Sequence, residues 1–340
     1  MKKYILLSIL AISTTLHIHA QRSQLIAVLN HDGTNTTYYG SSALQEANEA
    51  AADGDIITLS GGIFLPVNLS KAITIRGAGM SHNDSTNIHR TQISVTIADS
   101  TSNLSIENLW IEDLTNTGKA LAHVRFFKVG TYGLNVYEGS NVILINCIIQ
   151  NTLFCADNAT VSVFNSVIYF PHADTVNSSA YYCNCLISFP YDGSHSRTHN
   201  TRECNQSYTV FENCVIYDYR EGFWEFAFEE TITAHHNVGR GADLFSRVFD
   251  NTNTTLSYDD FLSIFGGNAW YEGYNDANTY RLTDAAAATY LGSDGTQVGI
   301  YGGLFPFDSK AHHPVITKAD IARHDDNGKL KVMIEVSSYE

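Results

Sequence analysis

An asparagine set inside alternating apolar residues recurs at a fixed interval. Asn146 lies in "LINCII", Asn165 in "VFNSVI" and Asn184 in "YCNCLI", nineteen residues apart each time. Asn108 in "IENLWI" stands two such intervals before Asn146, and the position between them falls on Phe127 in "VRFFKV". Asn213 in "FENCVI" follows Asn184 by 29 residues, with an insertion in "YDGSHSRTHNTRECNQS" taking up the excess. Asn237 in "HHNVG" follows by a further 24, with less apolar support. A period near twenty residues points to stacked coils, because one short strand cannot bury its face alone and a stack gives a continuous core. Leucine-rich repeats share the period, but the Leu spacing they need is missing. The units carry β-branched and aromatic residues with period two instead. The expected fold is all-β, a single-stranded right-handed parallel β-helix with one coil per repeat.

Asn108, Asn146, Asn165, Asn184 and Asn213 are then expected to stack as a structural ladder at the bend between two strands. Stacked coils place equivalent residues about 4.8 Å apart. At that distance an inward amide can donate to the amide of the next coil and accept from the previous one. The following residues, Leu109, Cys147, Ser166, Cys185 and Cys214, form a second inward column of small or apolar side chains. Cys147 and Cys185 fall two coils apart, too far for a disulfide, whereas Cys185 and Cys214 on neighbouring coils come just within reach. The column reads mainly as buried thiols packing like small hydrophobes. Cys155, Cys183 and Cys204 stay open as partners. No zinc spacing is present, so no metal site is expected.

The two ends differ from the middle. Lys2 and Lys3, an apolar run from Tyr4 to about Ile12, and Ala20 before Gln21 read as a secretory signal peptide over residues 1–20. The apolar run is too short to span a bilayer. A secreted, periplasmic or cell-surface location follows. "SSALQEANEAAADGD" supplies a helical cap for the open stack, with Ser42 and Gln45 as a capping box and Ala43, Leu44, Ala47, Ala50 and Ala51 as its apolar face. "IITLSGGIF" and "AITIRGAG" read as the first strands, with Gly77 at the ladder position.

A short helix followed by "GDIITLSGGIFLPVNLSKAITIRGAG" resembles the entry to pectate-lyase-like right-handed β-helix proteins. "YRLTDAAAATYLGSDGTQVGIYGG" is similar to the closing segment of secreted Bacteroidetes-type members, through Tyr280, Leu282, Gly292, Asp294, Gly295, Gly299, Gly302 and Gly303. The resemblance covers about residues 25–305. It implies the fold and little about activity, since this scaffold carries lyases, hydrolases, adhesins and inert modules. The β-helix is expected over 21–305 and a C-terminal extension over 306–340. In that extension "KLKVMIEVSSYE" reads as an edge strand, pairing either with the coil stack or within a small second module.

The formal net charge of −15 becomes more negative once Lys2 and Lys3 are removed. That disfavours nucleic acid and anionic membranes as partners. Polyuronates are disfavoured at long range for the same reason, unless a basic patch or a cation intervenes. A lyase would need a base and a cation or Arg to neutralise the uronate. Lys128, Arg125 and Arg220 are candidates, with Ca²⁺ as the cation in that case; otherwise no cofactor is expected. A hydrolase would need paired carboxylates. Asp259–Asp260 reads instead as the first turn of a helix capped by Ser257, and Asp325–Asp326 as a turn. His235 and His236, adjacent on a strand, face opposite sides and make a poor ligand pair. "YDYREGFWEFAFEE" combines rings with acids and Arg220. Tyr217, Tyr219, Trp224 and Glu225, with Tyr191 from the neighbouring insertion, are the candidate carbohydrate-binding residues. A non-catalytic polysaccharide- or glycan-binding protein is the first expectation. A lyase acting on uronic-acid polymers is the alternative, and an adhesin-like spacer the third.

Overall fold

A computed structural model describes residues 25–81, 90–116, 120–169, 171–173, 178–189, 208–218, 232–240, 251–267, 275, 278–308, 315–321 and 332–337. The described residues open with an antiparallel hairpin, β1 (Ile26–His31) and β2 (Thr34–Tyr39), then helix α1 (Ala43–Ala50). β3 (Ile56–Leu59), β4 (Gly62–Ile63), β5 (Val67–Leu69), β6 (Thr74–Arg76) and β7 (Thr91–Ile97) begin the stack. β8 (Ser105–Asn116) and β9 (Val124–Thr131) each run through a bend and serve two walls. β10 (Leu134–Val136), β11 (Asn141–Ile145), β12 (Ile148–Ile149), β13 (Leu153–Cys155), β14 (Thr160–Phe164), β15 (Val167–Tyr169), β16 (Pro171–Ala173), β17 (Ser179–Cys183) and β18 (Leu186–Phe189) continue it. β19 (Tyr208–Glu212), β20 (Val215–Asp218), β21 (Ile232–His235), β22 (Val238–Arg240) and β23 (Thr254–Leu256) complete it. Helices α2 (Tyr258–Ile264) and α3 (Asp284–Thr289) follow. A separate hairpin of β24 (Val315–Ile321) and β25 (Val332–Ser337) comes last.

The result is a parallel β-solenoid of about seven turns. The first wall stacks β3, β6, β8, β9, β11, β14, β17, β19 and β21 in parallel register. The second runs from β7 through β8, β9, β12, β15, β18, β20 and β22 to β23. The third stacks β10, β13 and β16. Alternation on the first wall sends Ile57, Ile75, Ile106, Phe126, Leu144, Val163, Tyr182 and Phe211 into the interior. The tail strand pairs antiparallel with β24 rather than with the coil stack.

The second wall is apolar on both faces. Ile149, Ile168, Ile187 and Ile216 point into the solenoid, while their neighbours Ile148, Val167, Leu186 and Val215 point out. The outward set is covered by Phe261, Ile264, Phe265, Leu282, Val298, Ile300 and Phe307 of the C-terminal segment, which forms a second core. Two-sided burial of a parallel strand calls for consecutive apolar residues, and each coil supplies such a pair.

The N-terminal cap departs from its expected details. Ser42 makes no side-chain cap bond; its hydroxyl donates to Glu46 Oε1 at 2.6 Å, and Gln45 Nε2 donates to Pro66 O at 2.7 Å. Ala43, Leu44, Ala47 and Ala51 are buried, but Ala50 is exposed. The far end of α1 is closed by Lys71, whose Nζ donates to the carbonyls of Asn48, Glu49 and Ala51 at 2.6, 3.0 and 2.7 Å. A cation there matches the negative end of the helix dipole. Helix α2 follows expectation: Ser257 Oγ accepts from Asp260 N at 3.2 Å.

Candidate functional site

The ladder is real in register but differs in what its side chains do. Asn108, Asn146, Asn165, Asn184 and Asn213 all hold positive φ, between 47° and 56°. The backbone N–H of Asn146, Asn165, Asn184 and Asn213 each donates to a carbonyl of the next coil at 3.0–3.1 Å. Asn tolerates this left-handed bend better than other residues with a Cβ. The rung between Asn108 and Asn146 is Lys128 (φ 54°), not Phe127, and the rung after Asn213 is His236 (φ 55°), not Asn237.

The amides do not bond to one another, as inward stacking would require. Those of Asn213, Asn184, Asn165 and Asn146 hold a strap, residues 292–308, that runs back across the coils, whereas the buried Oδ1 of Asn108 has no hydrogen-bond partner among the described residues. Asn213 Oδ1 accepts from Ser293 N at 2.8 Å and its Nδ2 donates to Ser293 Oγ at 3.2 Å. Asn184 Nδ2 reaches Gly299 O at 3.5 Å. Asn165 Nδ2 donates to Ile300 O at 2.9 Å and Gly302 O at 2.6 Å. Asn146, with its amide turned nitrogen toward the carbonyls, donates to Phe305 O at 3.1 Å. Gly292 and Gly303 permit the close approach. A Cβ on Gly292 would lie 2.6 Å from Asn213 Cγ, and one on Gly303 2.5 Å from Asn184 Oδ1.

Lys128 is therefore a correction to the list of candidate bases. Its side chain is 1% exposed, and its Nζ pairs with Asp308 Oδ2 at 3.0 Å as the last strap contact. Burial lowers its pKa, and the hydrogen bond and charge of Asp308 pull the other way. Its ammonium thus faces the strap and not an open surface. Tyr217 is a second correction. It is buried at 2%, packs on Phe261 and accepts from Arg240 Nη1 at 3.1 Å, so it belongs to the second core and not to a binding surface. Tyr191, Tyr219, Arg220, Trp224 and Glu225 lie outside the described residues.

The inward hydrogen-bonded column is the next position along. Cys147 N donates to Ser166 Oγ at 2.9 Å, Cys185 N to Cys214 Sγ at 3.5 Å, and Cys214 N to Asn237 Oδ1 at 2.8 Å. Cys147, Cys155, Cys183, Cys185 and Cys214 are free thiols. Burial pushes Cys147 and Cys155 up to about 12. Among the described residues no group of three or more His, Cys, Asp or Glu could hold a metal ion, and no helix is long and apolar enough to cross a membrane.

What the first wall leaves outside is a mixed polar and aromatic face. At one end Glu107, 7% exposed in its side chain, is clamped by Arg76 Nε at 2.9 Å, Arg125 Nη2 at 2.7 Å and Ser105 Oγ at 2.9 Å. Burial alone would raise this carboxyl. The hydrogen bonds from Arg76 and Ser105 and the two guanidinium charges outweigh that and hold it below the ordinary carboxylate range. Both Arg side chains stay partly in water, at 36% and 50%. Half-buried Phe127, Ile143, Ile145, Phe164 and Tyr181 occupy the outward positions of the following coils. Phe164 meets Tyr181 edge-on at 5.8 Å and Phe305 of the strap at 5.9 Å. At the other end Tyr181 donates to Glu212 Oε2 at 2.6 Å, and Ser293 Oγ donates to the other oxygen at 2.8 Å. Arg125 was legible as a candidate. The rings were not, because alternation alone cannot tell which face of a strand stays in water. Compared with known proteins, the chain matches no family model, no curated protein and no solved structure.

Proposed function

We propose that the chain is a secreted or cell-surface, non-catalytic glycan-binding protein that holds its ligand along the outward face of the first wall. The resemblance of its entry segment to pectate-lyase-like right-handed β-helix proteins supports a right-handed coil. The observation that carries the reading is the row Phe127, Phe164 and Tyr181 beside the Arg76–Glu107–Arg125 clamp. Aromatic rings on a flat, rigid surface stack on the apolar faces of sugars, and fixed guanidinium and carboxylate groups recognise hydroxyls. The clamp is prepaired, so its donors are held in place before any ligand arrives. Lys128 leaves the list of bases because burial and Asp308 enclose it, which weighs against catalysis through that residue.

The test is a glycan array probed with the purified chain, alongside Arg125→Ala and Phe164→Ala. Binding lost in both variants, with circular dichroism unchanged, supports the reading. Release of unsaturated uronate from a panel of uronic-acid polymers, read by ultraviolet absorbance, would assign a lyase instead. No binding and no product would leave a spacer.

A further inference from the structure

Among the described residues the first wall ends, on the N-terminal side, in an unpaired edge. Among the described residues β2 pairs with β1 and with no other strand. The two-residue turn Asp32–Gly33 has φ of 48° and 80°, as a type I′ hairpin requires. Its closing pair is His31 with Thr34, and Gly40 N donates to Leu25 O at 2.9 Å at the opposite end. Hydrogen-bonded pairs alternate along an antiparallel ladder. Thr34, Thr36 and Tyr38 therefore exchange bonds with His31, Leu29 and Ala27, and Asn35, Thr37 and Tyr39 turn their N–H and C=O groups to the free edge. All three of those residues are exposed.

Edge strands are normally blunted by charges, proline or bulges. β2 reads TNTTYY, with no charge, no proline and an unbroken register. Exposed Tyr39 (56%) closes the strand, and exposed Leu65 (44%), whose N–H donates to Ser41 O, lies beside its end.

We infer that β2 is a dimerisation edge, pairing antiparallel with β2 of a second copy about a two-fold axis at Thr37. The register that engages all the free backbone groups sets Thr37 opposite Thr37, and Asn35 opposite Tyr39. Two identical strands paired antiparallel are two-fold symmetric by construction, so the assembly closes at two. Thr–Thr and Thr–Tyr neighbours across the pair are favourable. A second copy is the occupant because β2 is uncharged and self-complementary, so two chains of net charge −15 can pair there without placing like charges opposite each other. A single strand pair is small beside a standard interface, so the dimer is weak and concentration-dependent.

Sedimentation velocity of the full chain over a concentration series tests this. The wild type should move from monomer to dimer as concentration rises. Thr37→Pro removes an N–H that makes no bond to β1, so the fold is kept while the edge is blocked. It should stay monomeric throughout. Thr37→Cys with oxidised glutathione should give a disulfide-linked dimer, and Thr34→Cys should not, because the two copies of residue 34 lie far apart in this register. A wild type that stays monomeric at every concentration overturns the inference. So does a Thr37→Pro dimer as strong as the wild type, or equal cross-linking at positions 34 and 37.

Discussion

The ammonium of Lys128 meets the carboxylate of Asp308 at 3.0 Å across 180 residues of sequence. Lys128 holds the same left-handed bend as the ladder asparagines, yet reaches further, and its partner is half in water. Burying the ammonium has a cost that the pair only partly offsets. Lys128→Asn should therefore be tolerated within about 1 kcal/mol, since it removes a buried charge and suits the bend. Lys128→Ala should cost roughly 2–3 kcal/mol, because it empties a packed site and retains the unfavourable φ. Urea denaturation of the two variants distinguishes these outcomes. With its folded pKa below the unfolded one, Lys128 makes stability rise with pH between the two values, and that rise should vanish in Lys128→Asn.

Asn165 has two separable duties. Asn165→Gly keeps the left-handed bend and removes only the amide that serves Ile300 O and Gly302 O. Asn165→Ala loses both. The first should cost about 1–3 kcal/mol, chiefly from carbonyls left unpaired, and the second about 1 kcal/mol more. Hydrogen exchange at residues 298–305 should accelerate in both, with the exchange at β14 changed less. Equal protection of strap and wall in Asn165→Gly would count against amide docking.

Gly303→Ala attacks the same contact from the strap side. The residue sits at φ 70°, and its new Cβ would press on the Asn184 amide. A loss of roughly 2–3 kcal/mol is expected, with exchange along 292–308 rising as in the asparagine variants.

The coil period, the parallel stack, the cap and the second helix were all readable in the sequence, because Asn146, Asn165 and Asn184 sit at equal intervals within period-two apolar runs. The direction of their side chains was not. A polar residue in an apolar run looks the same whether it faces the interior or a covering segment 80 residues away, as for Asn213 and Ser293, or further, as for Asn146 and Phe305. The consecutive pairs Ile148–Ile149 and Val215–Ile216 held the missing signal, since only a wall covered on both sides needs them. The rung at Lys128 was missed for a simpler reason: an eighteen-residue interval follows a twenty-residue one, so counting by nineteen lands on Phe127. Tyr217, read as a glycan-binding ring, and Lys128, read as a base, both lie buried, and ring and charge content says nothing about burial.

Acid should loosen the clamp through Glu107. Its folded pKa lies below its unfolded one, so its contribution is complete above the unfolded value near 4.5 and is lost as pH falls through the folded value. Glu107→Gln should flatten the acid limb of a stability-versus-pH curve and leave Arg76 and Arg125 without their shared partner. An unchanged acid limb would show that the clamp is not closed in solution.

The buried thiols should resist alkylation in the native state and react together on unfolding, because both access and thiolate formation are suppressed. Cys185→Ser should be mild, within about 1–2 kcal/mol, since Ser166 already fills the same inward position one coil away. Thiol counting with and without denaturant checks the first point, and thermal melts check the second.

Coil arrays ordinarily fray from their ends, since each layer touches only its neighbours. A cross-brace fastened at Asn213, Asn184, Asn165, Asn146 and Lys128 ties distant layers to one another, so these layers should yield together under heat or tension rather than peel away one by one.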